Sequence, residues 1–276
     1  MSALDGVRLV AFDLDGTLLP STKVLPERAR RVTAGLRERG IDVVLATGKG
    51  WTLTERYALD MGVAAPCVAL EGALVALPGG PPLRRLVVGA AERAHVAGVV
   101  HGLRLGWFFT PDGSRIHASG CLAGSTHLLR IWDPDVALTD APLAAPELGD
   151  AHVLHLIGAA EDVDGAHARL AVEGPADVEL FRAEFWDGVQ QLQVRPRGTG
   201  KHHALRYVLE TRGVAAAEMM ACGDWWNDVE MLRMAGVAVA PSDAVEGVRA
   251  AAHHVVPGTC DDEAVLRFVE EQLERL

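Results

Sequence analysis

Apolar residues along this chain come in short dense runs separated by amphipathic stretches. Leu9 to Phe12, Ile41 to Leu45, Cys67 to Leu70, Met219 to Cys222 and Val237 to Ala240 have the length and density of strands buried on both faces. Between them lie stretches of helical period. Pro26 to Arg39 sets Ala29, Val32 and Leu36 on one side and arginines on the other, with Pro26 suited to a first helical turn and Gly40 to a C′ position. Trp51 to Met61, Lys201 to Arg212 (closed by Gly213), a segment ending near Met234, Ala244 to Ala252 and Asp261 to Leu276 read the same way. Strand and helix alternating at short spacing predict a doubly wound, mostly parallel α/β sheet.

The alternation stops in the middle of the chain. Pro78-Gly79-Gly80-Pro81-Pro82 has the composition of a linker. Beyond it, Ala90 to Leu103 predicts a helix with Val96, Val99, Val100 and Leu103 inward. Trp107 to Thr110 and Arg115 to His117, joined by Pro111-Asp112-Gly113, predict a hairpin. A helix is expected over Ala123 to Trp132, a Pro- and Ala-rich loop over Asp133 to Gly149, a strand over His152 to Ile157 and a helix over Asp164 to Val172. A last strand pair is expected over Val178 to Phe185 and Val189 to Val194. Paired strands with short turns imply an antiparallel sheet with helices on one face. The expected organisation is therefore a core of 1–82 and 196–276 with an inserted α+β domain over 83–195.

Composition narrows the function classes. The net charge of −11 argues against a nucleic-acid or anionic-membrane surface, and an anionic substrate would need local cations. No apolar run is long enough to span a bilayer, and the N-terminus shows no signal-peptide pattern, so a cytoplasmic protein is expected. Cys67, Cys121, Cys222 and Cys260 lack Cys-x-x-Cys spacing and read as small buried hydrophobes. His202-His203 and His253-His254 are expected to point apart and to hold no metal.

The chemistry begins at the end of the first strand, in Asp13-Leu14-Asp15-Gly16-Thr17. On an extended chain residues two apart share a face, so Asp13 and Asp15 address one small volume, and Gly16 frees the backbone to turn beside it. Two carboxylates this close repel each other unless a cation separates them or one stays protonated. Mg²⁺ is the oxygen-liganded candidate. A bare Asp-x-Asp reads first as a solvated turn without chemistry; the full run of strand, Asp-x-Asp-Gly-Thr-Leu is more specific.

That run resembles the nucleophile motif of the haloacid dehalogenase (HAD) superfamily, and the rest of the superfamily's pattern follows in order. Ala46-Thr47-Gly48-Lys49 ends a strand, Lys201 opens a helix after Arg195-Pro196-Arg197-Gly198-Thr199-Gly200, and Gly223-Asp224-Trp225-Trp226-Asn227-Asp228 follows a strand. The insert between the second and third motifs, with Gly72-Ala73 and Pro241-Ser242-Asp243-Ala244, is similar to the Cof-type phosphatase subgroup. The resemblance implies a Rossmann-like core with a substrate-selecting cap and a Mg²⁺-dependent phosphatase acting through an aspartyl-phosphate. It makes Asp13 the nucleophile and Asp15 the general acid and base. Thr47, Gly48 and Lys201 would hold the phosphoryl oxygens, with Asn227 as a further polar contact. Asp13, the Asp15 carbonyl and Asp224 would hold the metal, and Asp228 would bind it through water or anchor its ligands.

Four residues depart from the subgroup's pattern. Lys49 stands where Arg is usual, Glu71 where Asn is common, and Trp225-Trp226 in a loop usually built from smaller residues. Glu71 is expected to point away from the phosphate or pair with Lys49; the tryptophans, to floor a substrate pocket or pack on the core. Arg115, His117, Arg182, Glu184 and Trp186 are candidates for contacting the leaving group. The expected partner is a small phosphorylated metabolite, a sugar or polyol phosphate first, with the protein a monomer or homodimer. A phosphomutase of the same fold and a catalytically silent regulatory module are the alternatives.

Overall fold

The computed structural model describes residues 2–111, 113, 115–130, 132–186 and 189–276, without the side chains of Ala123, Glu184, Phe185 and Trp186. In chain order it begins with β1 (Leu9–Phe12), α1 (Glu27–Glu38), β2 (Asp42–Leu45), α2 (Trp51–Met61), β3 (Cys67–Ala69) and β4 (Leu74–Ala76). Next come β5 (Pro82–Arg85), α3 (Ala90–Val99), β6 (Gly106–Phe109), β7 (Ile116–Ser119), α4 (Thr126–Leu129) and β8 (Val136–Thr139). These lead to β9 (Leu154–Gly158), α5 (Ala160–Glu173), β10 (Val178–Trp186) and β11 (Val189–Pro196). The chain closes with α6 (Lys201–Arg212), β12 (Met219–Cys222), α7 (Val229–Met234), β13 (Val237–Pro241), α8 (Glu246–Ala251), β14 (His254–Val256) and α9 (Ala264–Leu273). It falls into two compact units, one of 1–48, 54–83 and 200–276, the other of 49–53 and 84–199.

The first unit is the doubly wound α/β layer expected from the sequence. Its sheet runs β14-β13-β12-β1-β2, every pairing parallel. Leu9 and Ala11 pack with Leu205, Val208 and Met231 of α6 and α7, while Val10 and Phe12 are fully buried on the opposite face. Both faces are covered, which is why β1 reads as a continuous apolar run rather than an alternation. Because β1 lies between β2 and β12, the chain leaves it in both directions. In open α/β sheets such a switch point opens a crevice at the carboxyl ends of the strands.

The third strand departs from the sequence reading. β3 touches β2 through one parallel bridge, Ala46 to Val68, but pairs antiparallel with β4 as a hairpin. Its turn, Leu70–Gly72, takes left-handed backbone throughout, with φ of 51°, 59° and 95° at Leu70, Glu71 and Gly72. Such angles cost side-chain-bearing residues free energy, and they cluster where a site needs them. The stretch read as a linker supplies a turn at Gly79 and then enters β5 at Pro82.

The second unit carries a six-stranded sheet, β10-β11-β9-β6-β7-β8. It is mixed, not antiparallel: β8 runs parallel to β7, Ile116 opposite Val136. β8 lies within 133–149, read as a loop because a four-residue edge strand among prolines leaves no usable alternation. The helix expected over 123–132 is a 3₁₀ stretch, Gly120–Ser125, followed by the short α4; glycines at 120 and 124 weaken it as an α-helix. Helices do not keep to one face. α3 and α5 cover the face of Trp107, Phe109, Leu154 and Leu156, while Leu129 of α4 packs on the other with Phe108, Ile116 and Ile157. The β6–β7 hairpin forms, and Asp112 of its turn lies outside the described residues. Among the described residues no helix is long and apolar enough to cross a membrane.

Candidate active site

Four of the residues singled out by motif meet at the carboxyl ends of β1 and β12 and the start of α6. The Lys201 ammonium donates to Asp13 Oδ1 at 2.5 Å and to Asp228 Oδ1 at 2.7 Å, all three side chains buried. Asp228 Oδ2 accepts from the Asp224 and Trp225 amides at 3.0 and 3.1 Å, which folds the motif loop around its carboxylate. Asp13, Asp224 and Asp228 each place a carboxylate oxygen within 4.8 Å of the others.

The backbone permits this crowding at two glycines. Gly16 has φ of 79°, and a Cβ there would lie 2.2 Å from Asp224 Oδ2, so only glycine lets the turn after β1 approach that carboxylate. At Gly72 a Cβ would lie 2.4 Å from the Gly200 carbonyl; its absence lets the β3–β4 turn pack on the peptide that opens the Lys201 helix.

Three carboxylates around one ammonium leave the cluster anionic. Burial raises the Asp13 carboxyl well above its ordinary value; Lys201 opposes this, and Asp228 and Asp224 add to it. Burial and then Asp228 push Asp224 up to about 7, against the Thr17 hydroxyl that donates to its Oδ1 at 2.7 Å. Burial works against the Lys201 charge, but Asp13, Asp228 and Glu71 more than offset it and hold the ammonium protonated. Carboxylates held this close with raised pKa values fit a hard divalent cation, which would offset their mutual repulsion through oxygen ligands alone.

The other motif residues stand around this centre. Asp15 is half-exposed and ion-paired to Lys23 at 2.7 Å, and it does not share the three-carboxylate cluster. Thr47 is buried just beyond β2, its amide donating to the Val68 carbonyl at 3.0 Å. A Cβ on the next residue, Gly48, would lie 2.4 Å from Glu71 Oε1. Glu71 has a partner that the sequence did not suggest: Asn227 Nδ2 donates to both its oxygens, at 2.9 and 3.2 Å. Asn227 thus spends its amide NH₂ on Glu71. Trp225 and Trp226 do not pack into the core; each is 54% exposed, and Trp226 lies against α8, where a Cβ at Gly247 would meet its ring at 2.4 Å.

Thr17, Lys23 and the Glu71–Asn227 pair had no role in the sequence reading. Thr17 was visible as the last polar residue of the Asp-x-Asp-Gly-Thr run; Lys23, in an irregular loop, carried no signal. His202 and His203 do not point apart, since their ring centroids lie 4.0 Å from each other, and neither belongs to a metal-ligand cluster among the described residues. Cys67 and Cys222 are buried free thiols, as expected, and burial pushes Cys67 up to about 12. Cys121 is exposed and Cys260 only partly covered. Of the leaving-group candidates, Arg115 pairs with Asp135 at 2.7 Å and Arg182 with Asp164 of α5 at 2.6 Å. Glu184 and Trp186 have side chains outside those described.

Comparison with known proteins agrees with this geometry. The family model for haloacid dehalogenase-like hydrolases matches residues 10–85 and 153–269. An HMP-PP phosphatase of Cronobacter sakazakii is 29% identical over 280 residues, covering 97% of this chain and 96% of its own. The 5-amino-6-(5-phospho-D-ribitylamino)uracil phosphatase of Bacillus subtilis is 25% identical over 276 residues, with 95% and 96% covered. In fold, a haloacid dehalogenase-like hydrolase from Bacteroides thetaiotaomicron superimposes with a TM-score of 0.83 at 23% identity, over 96% of this chain and 99% of that one. The chain belongs to the haloacid dehalogenase-like hydrolases, and within that superfamily it is a Cof-type phosphatase.

Proposed function

We propose that this phosphatase hydrolyses the phosphate monoester of a small metabolite, a sugar or polyol phosphate, through a covalent aspartyl-phosphate. The observation that carries the reading is the meeting of Asp13, Lys201 and Asp228 with Asp224 at the open ends of β1 and β12. An Asp13 carboxylate oxygen attacks phosphorus while the ester oxygen leaves. Asp15, half-exposed beside Lys23, gives that oxygen its proton and then takes one from the water that cleaves the aspartyl-phosphate. Free phosphate departs and the Asp13 carboxylate is restored. Lys201, the Thr47 hydroxyl and the Gly48 amide hold the phosphoryl oxygens. Asn227 keeps the Glu71 carboxylate hydrogen-bonded beside them.

Asp13, the Asp15 carbonyl and Asp224 are the residues that would hold Mg²⁺, with Asp228 bracing the loop through the Asp224 and Trp225 amides. The ion would supply a positive charge to offset the phosphate dianion in a site that is otherwise anionic. Residues 83–195 form the insert to which we assign substrate choice. A polyol phosphate is supported by the phosphoribityl group in the name of the Bacillus relative.

The test is release of inorganic phosphate from p-nitrophenyl phosphate with and without Mg²⁺. We expect cation dependence and a loss of roughly 10⁴-fold or more in Asp13→Asn, the scale seen when a covalent nucleophile is removed. Retained turnover in Asp13→Asn, or turnover indifferent to divalent cations, would exclude the mechanism.

A further inference from the structure

The motif at the end of β1 sets two carboxylates two residues apart, and the fold sends them to different neighbours. Asp13 joins Asp224 and Asp228, whereas Asp15 Oδ1 accepts from the Lys23 ammonium at 2.7 Å. Asp15 nevertheless stays close to the acidic cluster: after burial and Asp228, it is among the groups that raise the pKa of Asp224. A carboxylate so placed could turn into the cluster as a further acid or stay outside it.

The segment that brings Lys23 to Asp15 is built at a cost. Lys23 has φ of 58°, a left-handed conformation that its side chain disfavours. Hydrogen bonds pin the segment there. The Lys23 amide donates to the Pro20 carbonyl at 2.9 Å, and the Tyr57 hydroxyl donates to the Lys23 carbonyl at 2.9 Å. The Ser21 amide donates to Asp261 Oδ1 at 2.7 Å. Tyr57 is a buried residue of α2, so its hydroxyl is a fixed anchor for the turn.

Stability does not account for this construction. The Lys23 and Asp15 side chains are 43% and 38% exposed, and an ion pair so open to solvent adds little to folding. The residue that follows in the turn, Val24, is exposed as well. Left-handed backbone that stability does not repay is found where a site needs a group delivered to one place. The group delivered here is an ammonium, and at hydrogen-bond distance it fixes the direction of the carboxylate it meets.

We propose that Lys23 is a positioning residue: it holds the Asp15 carboxylate out of the Asp13, Asp224 and Asp228 cluster and so reserves it for proton transfer to the leaving oxygen. The proposal rests on the phosphatase reading and adds to it the residue that orients the general acid. Tyr57 acts one step further back, by holding the Lys23 carbonyl and with it the turn.

Two esters test this. p-Nitrophenolate leaves without a proton, whereas the sugar oxygen of ribose 5-phosphate needs one, and kcat/KM reports the step in which the leaving group departs. Lys23→Met keeps the stem. It should lower kcat/KM for ribose 5-phosphate by about tenfold or more, and for p-nitrophenyl phosphate by less than about threefold. Lys23→Arg should recover most of the loss, and Tyr57→Phe should show the same selectivity at smaller size. In an Asp15→Asn background Lys23→Met should cost nothing further, because no carboxylate is left to position. A merely structural role would lower both esters alike. Losses on the two esters within about threefold of each other, or a loss that persists in Asp15→Asn, would overturn the proposal. If the parent hydrolyses neither ester, the phosphatase reading fails instead. In that case, or if only the aryl ester turns over, Mg²⁺ binding by calorimetry decides the role of Lys23. Tightening by about fivefold or more in Lys23→Met that vanishes in Asp15→Asn supports it, since a released carboxylate adds an oxygen to the acidic cluster. Equal tightening in both backgrounds, or none, sinks it.

Discussion

The two units bury polar side chains in different places, and the difference decides what a sequence can reveal. In the α/β unit, Asp13 and Asp224 stand one and two residues beyond β1 and β12, and Lys201 opens α6. Function sits at element ends, where irregular backbone lets consecutive residues converge and a short motif records the convergence. In the inserted unit, Gln191, Gln193 and Arg195 occupy alternate positions inside β11. Their partners lie on β9 and β10, and only the strand register brings them together. The first arrangement is held by opposed charges, the second by carboxamides, an imidazole and a guanidinium against aromatic rings. Perturbing each unit should therefore give different kinds of loss.

The largest expected effect on stability is at Lys201. Lys201→Met keeps most of the stem but leaves Asp13 and Asp228 buried with no ammonium between them. Breaking a buried ion pair from one side costs roughly 3–5 kcal/mol. Urea unfolding should show a loss of that order, with part recovered in Mg²⁺ because a divalent cation offsets the same carboxylates. An unchanged midpoint would mean the cluster is not electrostatically strained, and the contrast between the units would collapse.

A somewhat smaller loss is expected at Arg93, a buried cation of the inserted unit. Arg93 is fully buried, and among the described residues its guanidinium donates only to carbonyls, those of Gly149 at 3.0 Å, Ala145 at 2.8 Å and Leu143. Burial lowers its pKa, with Asp150 and Glu147 acting the other way. Arg93→Met leaves three carbonyls of the 143–149 segment to find new donors, at a cost of roughly 2–4 kcal/mol. Mg²⁺ should restore none of it, since Arg93 is tied to backbone and not to the acidic cluster. Recovery in Mg²⁺ equal to that of Lys201→Met would break the distinction.

Legibility followed the same divide. The parallel sheet and its helices were readable because buried parallel strands are continuous apolar runs, whereas the grouping of Asp13 with Lys201, Asp224 and Asp228 came from the resemblance of the motifs at the strand ends. β8 was missed because Val136–Thr139 is a four-residue edge strand with no alternation of its own. The β3–β4 hairpin was missed because its turn uses left-handed backbone at Leu70 and Glu71, which their side chains do not advertise. Arg182 was a candidate for the leaving group because it is a charged residue on a strand of the insert. Strand direction then placed Arg182 against Asp164 of α5, on the helix-covered face.

Glu71 joins the two kinds of evidence, a departure visible in sequence whose consequence only the structure explains. It is buried, its carboxylate stands beside Gly48, and it raises the pKa of Lys201. An acid there works against a phosphate dianion, yet both its oxygens are tied to Asn227 Nδ2. Glu71→Gln removes the charge and keeps the shape. Its new NH₂ would face Asn227 Nδ2, and a turn of the Asn227 carboxamide would offer it Oδ1, which is buried with no hydrogen-bond partner among the described residues. The variant should therefore fold with stability within about 1 kcal/mol of the parent, as one hydrogen bond is exchanged for another. With one negative charge fewer near the phosphoryl oxygens, KM for a phosphate ester should fall roughly threefold to tenfold, at the scale of a partly screened charge at short range. Turnover should move less, because the charge acts on bound ester and transition state alike. A rise in KM would instead assign Glu71 to holding Asn227 in place for the substrate, and would make the departure from the subgroup's asparagine a gain in order, not a cost in charge.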